Sequence, residues 1–488
     1  MEGKVEHDIW IVDLVLANLH IIALATLALY VLSAVCAVRE VLHSRTSQGS
    51  IAWLLSLIFL PLPTAFLYLV FGWKRFDDYV DVRTHAGRET RTKRAEELGI
   101  SDQQATAAWP VLTRVAQLPF LAGNSVDLLI DGEATFASIL DGIDRAESFI
   151  LFQFFIVHDD DIGRKVANAL IERAKAGVEV YFLYDEIGSK SLPKSYLSRL
   201  SNAGIKVSGF NKRHKVLRMT GPMRLNYRNH RKIVVVDGKH AWVGGHNVGD
   251  EYLGRDPSFG HWRDTHVRVE GPSAFACALV FAEDWHWATG QPLARLSADN
   301  VPEKSGSDPV LVMPTGPADA LEDCAIAFTE AISRARKRLW IVSPYFVPGM
   351  DILTPLYAAA MRGVEVRILL PKKADHWLVW LASYAHADDL VDHGIGIYRY
   401  NKGFLHQKVM LVDDEIASIG TVNFDNRSFR INFEITLWFT AGHMISAVEK
   451  MLEADFRDSV EEPRNVLSTR SYAFRFAAQA ARLFSPIL

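Results

Sequence analysis

Cysteine is scarce in this chain: there are three in 488 residues, Cys36, Cys277 and Cys324, all widely separated. No disulfide framework and no C-x-x-C metal module can be built from them, so they read as small buried hydrophobes. A basic excess is lacking as well. Lysine and arginine total 53 against 57 aspartates and glutamates, a formal net charge of −4, whereas a general nucleic-acid binder would carry a basic domain. The opening MEGKVEHD lacks the basic start of a cleavable secretory leader, so none is expected.

Charge itself is absent from two long stretches, residues 14–38 and 46–73. Each exceeds the roughly 20 apolar residues a helix needs to cross a bilayer core. Transmembrane segments are therefore expected at about 14–38 and 50–73, within an anchor over 1–76. In the second, Pro61 and Pro63 of LPLP predict a kink, or a segment that dips and returns. Lys74, Arg75, Arg83, Arg88 and Arg91 follow the second run, against Arg39 and Arg45 between the runs. That bias predicts cytoplasmic termini and a cytoplasmic C-terminal bulk.

Residues 77–109 read as a charged linker and 291–309 as a polar one. Around the second linker the chain repeats itself. ILDGIDRAESFILFQFFIV, then VANALIERAKAGVEVYFLYDE, then YLSRLSNAGIKVSGFN, is matched by FTEAISRARKRLWIVSPYFVP, LTPLYAAAMRGVEVRILLPKK and DDLVDHGIGIYRYN. Each unit runs from a helical pattern through a glycine to a short apolar strand; AGVEV and RGVEV are the same joint written twice. The fold class predicted is α/β, in two similar halves over 110–295 and 296–488.

Each half closes on one motif, H-x-K-x-x-x-x-D followed by G-x-x-N. It comprises His230, Lys232, Asp237, Gly244 and Asn247 in NYRNHRKIVVVDGKHAWVGGHN, and His406, Lys408, Asp413, Gly420 and Asn423 in FLHQKVMLVDDEIASIGTVN. On a strand, residues two apart share a face, so each His–Lys pair points one way. IVVV and VMLV run into the core, the aspartates mark turns, and the returning strands bring the asparagines back toward the His–Lys end. A single such motif arises by chance; two, each ending a repeated unit, predict a pair brought face to face.

A phosphodiester requires this set. One imidazole attacks phosphorus, the other protonates the leaving alcohol and later deprotonates the incoming one. Lysines and asparagine amides stabilise the non-bridging oxygens, so neither a metal ion nor a cofactor is expected. Each imidazole calls for a carboxylate to orient it, and Asp264 and Glu434, on the strands after the two hairpins, are the candidates. Asp237 and Asp413, at the turn ends, read as supports for the hairpins.

The paired motifs resemble those of the phospholipase D superfamily. With AWLLSLIFLPLPTAFLYLVFGW, WRDTHVRVEGP, SPYFVP, GTVNFDNRSFRINFEI and RLFSPIL, the whole chain is similar to bacterial cardiolipin synthases of that type. The resemblance implies two phospholipase D-like α/β sandwich halves sharing one pseudo-two-fold site, and a multi-pass inner-membrane protein. It also implies transfer of a phosphatidyl group from one phosphatidylglycerol to another, with release of glycerol. It assigns the active site to His230, Lys232, Asp237, His406, Lys408 and Asp413, with His230 as nucleophile and His406 as acid and base.

The stretch from Lys206 to Lys232 contains no acidic residue. It is expected to present Lys212, Arg213 and Lys215 to anionic headgroups. DHWLVWLASYAHADD, with Trp377 and Trp380, and the terminal AFRFAAQAARLFSPIL are amphipathic at helical spacing and are candidates for the bilayer interface. The rival readings are a lipid hydrolase using water as acceptor, a nuclease, and an inactive membrane scaffold. The acidic balance and apolar runs oppose the nuclease, and the two intact motifs oppose the scaffold.

Overall fold

The first uncharged run folds as one 24-residue helix, Leu19–Leu42, in a computed structural model that describes residues 18–43, 47–72, 79, 93, 95–211, 226–293, 296, 301–440 and 442–487. Among the described residues it is the one helix long and apolar enough to cross a membrane. Leu24, Leu27, Val31, Val35 and Val38 stand exposed along it at helical spacing, a stripe that water would penalise and lipid would not. The second run divides into Ser47–Phe59 and Pro61–Phe71. Proline lacks an N–H and is favoured in a helix's first turn, where none is needed, so Pro61 starts a new helix. The predicted kink is therefore present, but the continuous second span over about 50–73 is replaced by two short helices. Buried Glu40 ties the three together, accepting from Ser50 Oγ at 2.6 Å and Tyr68 Oη at 3.0 Å.

These helices belong to one structural unit, Met1–Arg75 with Leu217–Asn226; Phe76–Val216 with Tyr227–Leu488 forms the other. In the second unit fifteen strands form a single sheet. From the middle outward, the first half contributes Leu121–Ile130, Thr265–Glu270, His240–Gly244, Ile233–Val236, Phe149–Phe154, Glu179–Tyr184 and Lys206–Gly209. The second contributes Asp308–Thr315, Glu434–Phe439, Ile416–Gly420, Val409–Val412, Arg338–Val342, Glu365–Pro371 and Gly396–Tyr400, with Ser459–Glu461 at the edge. The same order twice is the sequence repeat in three dimensions. The halves meet where Leu121 pairs with Val310 and Asn124 with Asp308, antiparallel.

Both faces of the sheet are covered, which explains strands with no polar alternation. Ile233, Val235, Val409 and Leu411 point into a core that runs across both halves under helices Pro272–Thr289 and His443–Arg457. Val234 and Val236 point the other way into the first half's own core, and Met410 and Val412 into the second's. The repeated joints AGVEV and RGVEV end their helices on Gly177 and Gly363, with φ of +93° and +85°, a conformation that disfavours any side chain. The expected linker over 77–109 is packed at its far end. Helix Gln103–Ala108 is capped by Asp102, and Trp109 is buried, because DQQATAAW supplies a cap, helix formers and an aromatic anchor.

Candidate active site

The two His-x-Lys segments sit just ahead of their strands rather than within them. Ile233–Val236 and Val409–Val412 begin one residue after Lys232 and Lys408. The backbone there bonds to the opposite half instead of to a sheet neighbour. The amide of His230 donates to Phe433 O at 2.9 Å, and that of His406 to Arg263 O at 2.8 Å. Each motif is therefore delivered to the residue preceding the other half's candidate carboxylate.

The carboxylates complete the exchange. Nδ1 of His230 donates to Glu434 Oε2 at 2.8 Å, and Nδ1 of His406 to Asp264 Oδ2 at 2.7 Å. A ring held by a carboxylate on Nδ1 keeps its proton there and turns Nε2 to the substrate, as base or nucleophile when the ring is neutral and as acid when it carries a second proton. Glu434 is fully buried and is also bonded by Thr421 Oγ1 at 2.5 Å and Asn432 Nδ2 at 3.2 Å. Asp264 is buried against Gly245, where an added Cβ would lie 2.0 Å from its Oδ1.

Four motif groups share one electrostatic pocket. Burial depresses the pKa of His406 well below the ordinary imidazole value, helped by Lys408, Lys232 and His230. Burial also lowers His230, against the opposing pull of Glu434. Burial brings Lys232 down to about 7, opposed by Glu434 and aided by Lys408. Lys408 falls to about 8 from burial, opposed by Asp264 and Glu434. Lys232 Nζ donates to His230 O at 2.7 Å, and Lys408 Nζ to His406 O. Closely spaced, desolvated cations of lowered pKa are primed for an anion, whose arrival restores their charge.

Asp237 and Asp413, expected among the active-site residues, are placed elsewhere, at the far ends of the hairpins. Asp237 accepts from the amides of Glu147, Ser148 and Phe149 at 2.9, 2.7 and 2.9 Å. Asp413 accepts from those of Arg336, Lys337 and Arg338 at 2.9, 2.8 and 2.8 Å. Their φ values of 55° and 50° belong to tight turns, where aspartate is tolerated. They anchor each hairpin to the strand beside it and do not touch the imidazoles. Asn247 is buried, accepting from Ile156 N at 3.2 Å and donating to Tyr252 Oη at 3.2 Å. Asn423 is buried too, and its Oδ1 has no hydrogen-bond partner among the described residues. Lys212, Arg213 and Lys215 lie outside the described residues.

Some supporting residues escaped the sequence reading. Arg231, between His230 and Lys232, is fully buried and donates to Asp284 Oδ1 at 2.7 Å and to Glu434 O at 2.9 Å. In the other half, Gln407 bonds Asp455 Oδ2 at 2.8 Å, and Arg263 grips both oxygens of Asp455 at 2.6 and 2.8 Å. The signal was a polar residue between the two motif positions, facing away from the site. Its partners lie in distant helices and have no fixed spacing from it.

Two imidazoles on exchanged carboxylates, flanked by two buried lysines, define a phosphodiester-transfer centre of the phospholipase D class. Residues 139–261 and 328–456 match the family described as cardiolipin synthase, PLD-like domain, and residues 28–73 match the phospholipase D-nuclease N-terminal family. Cardiolipin synthase A of Pseudomonas fluorescens strain Pf-5 is 44% identical over 480 residues, covering 96% of this chain and 99% of that protein. Cardiolipin synthase A of Pseudomonas aeruginosa PAO1 is 44% identical over 481 residues, covering 96% of each. The phosphatidylserine synthase of Haemophilus influenzae Rd KW20 shares the fold at a TM-score of 0.58 and 15% identity, covering 78% of this chain and 100% of that one. The chain belongs to the cardiolipin synthase family of phospholipase D-like proteins.

Proposed function

We propose that this protein is a phosphatidyltransferase that makes cardiolipin from two phosphatidylglycerols and releases glycerol. The observation that carries the reading is the exchange of carboxylates between halves, which leaves two Nε2 atoms free beside two buried lysines. In the first step, Nε2 of His230 attacks phosphorus and the bond to the glycerol oxygen breaks. The leaving oxygen takes a proton from Nε2 of His406, which enters this step as the imidazolium, its charge held by Asp264 and the bound phosphodiester anion. A second phosphatidylglycerol then gives its hydroxyl proton to His406 and attacks the phosphohistidine, returning His230 to its neutral form. Lys232 and Lys408 hold the non-bridging oxygens, where charge grows in each transition state. Glu434 and Asp264 balance the imidazolium that forms on their respective rings.

The protein is membrane-associated. The finer picture, in which Leu19–Leu42 crosses the bilayer, the two short helices enter it and the catalytic unit faces the cytoplasm, is supported by the uncharged runs and the flanking arginines and lysines. In the same reading residues 1–76 are the anchor, and the halves take up 110–295 and 296–488. The basic stretch around Lys212, Arg213 and Lys215 meets anionic headgroups.

Detergent-solubilised enzyme given labelled phosphatidylglycerol tests the activity. Cardiolipin and glycerol in equal amounts are expected, with both lost in His230→Ala and His406→Ala. Phosphatidic acid as the main product would replace the transferase by a hydrolase acting through the same residues.

A further inference from the structure

The C-terminal helix Tyr472–Arg482 is packed in reverse of a soluble surface helix. It rests on helix Trp377–Asp392 through Phe474 and the small residues Ala478 and Ala481. Its large apolar side chains point outward: Tyr472 is 81% exposed and Phe476 67%, and Leu483, just beyond the helix, is 81%. The spacing 472, 476, 483 keeps them on one stripe. The exposed surface continues past this helix. Trp380 meets Phe474 at 5.9 Å and Trp377 at 5.2 Å, and Trp377 is itself 69% exposed.

Charge says what covers this stripe. No acidic residue occurs from Pro463 to Leu488, whereas Arg464, Arg470, Arg475 and Arg482 do; Arg482 pairs with Asp389 of the neighbouring helix at 2.6 Å, and Arg464, Arg470 and Arg475 carry the positive charge of the segment. An aromatic and aliphatic stripe beside arginines, with no carboxylate on its own segment, complements an anionic lipid surface. The stripe also adjoins the active site. Trp377 follows Asp375 and His376, whose charges act on Lys408 and His406 respectively, and the Asp375 carboxylate accepts from Tyr345 Oη. The other end is pinned to the short helix Asn426–Arg430 that follows Asn423, where Asn426 Nδ2 donates to Ser485 O at 2.8 Å.

We propose that the C-terminal helix and the first turn of Trp377–Asp392 form a second membrane contact, holding the catalytic mouth against an anionic bilayer. The inference rests on the lipid-substrate reading above. Full-length protein in nanodiscs containing phosphatidylglycerol tests it, with a spin label at Phe476→Cys or Leu483→Cys. The three native cysteines are buried, which favours selective labelling. Both labels should be more accessible to oxygen than to a water-soluble nickel complex, with the reverse at a Lys175→Cys control. Nickel-dominated accessibility at both positions overturns the proposal. So does strong dipolar coupling between labels on two copies, which would assign the stripe to a second chain.

Kinetics add a second readout. The pair Phe476→Asp and Leu483→Asp should raise the surface-fraction KM for phosphatidylglycerol about tenfold and leave kcat within about twofold. An unchanged KM would contradict the proposal. The label measurement stands whether the product is cardiolipin or phosphatidic acid, so failure of the docking face and failure of the synthase reading are told apart.

Discussion

Glu434→Gln isolates what the exchanged carboxylate does. Glutamine keeps the volume of a fully buried side chain and can still accept from His230 Nδ1, now 2.8 Å from Oε2; the charge is lost, with the weaker bond that Asn432 Nδ2 makes to Oε1 at 3.2 Å. The ring becomes an imidazolium-like cation as His230 bonds to phosphorus, and the buried carboxylate stabilises that charge. Two unit charges about 4 Å apart at an effective dielectric of about 20 attract by about 4 kcal/mol. The remaining amide bond recovers about 1 kcal/mol of this. A net loss of about 3 kcal/mol lowers kcat roughly 10²-fold, since each 1.36 kcal/mol is about tenfold. The assay is turnover of labelled phosphatidylglycerol in mixed micelles, with thermal unfolding followed in parallel. KM should move by less than about threefold and the unfolding temperature by only a few degrees, because breaking the charge leaves packing intact. A kcat within about threefold of the parent would refute the electrostatic role assigned to Glu434.

Gly245→Ala should lower kcat roughly tenfold or more, because its Cβ would lie 2.0 Å from Asp264 Oδ1 and push the carboxylate off His406. Gly177→Ala, where nothing lies within 4 Å but φ is +93°, should cost about 1 kcal/mol of stability with kcat unchanged. Asp413→Ala removes the acceptor of three amides, and the unfolding temperature should fall by an amount equivalent to about 2–4 kcal/mol while activity per folded molecule survives. Equal loss of activity and folded protein from Asp413→Ala and Glu434→Gln would erase the distinction between anchor and site. The pH profile of kcat/KM follows from the lowered pKa values. Lys232 at about 7 and Lys408 at about 8 lose charge as pH rises, and the His406 acid proton, loosened by burial, is lost in the same direction, so kcat/KM should be falling by about pH 8. A profile flat to about pH 9.5 would contradict the role of both lysines.

The repeated H-x-K-x-x-x-x-D and the joints AGVEV and RGVEV made the α/β class, the duplication and the His–Lys clusters legible, because each is a local pattern written twice. Asp264 and Glu434 were also readable, as carboxylates on the strand after each hairpin. Their exchange was not, since spacing within one half carries no information about which half's ring a carboxylate meets. Arg231 with Asp284 and Arg263 with Asp455 were hidden for the same reason: their partners come from Pro272–Thr289 and His443–Arg457, far along the chain. Hydropathy alone measured the second apolar run as one span, whereas the missing N–H of Pro61 divides it. The resemblance grouped Asp237 and Asp413 with the catalytic residues; their turn positions pointed to the anchoring role their hydrogen bonds now describe.

The central claim is that two halves place two imidazoles on one phosphorus, with one ring taking the covalent bond. Enzyme mixed rapidly with phosphatidylglycerol, quenched, digested and read by mass spectrometry tests it most directly. A phosphatidyl adduct is expected on the peptide carrying His230, sharply reduced in Glu434→Gln and absent in His230→Ala. An adduct on another side chain, or turnover with no adduct at any quench time, would contradict it.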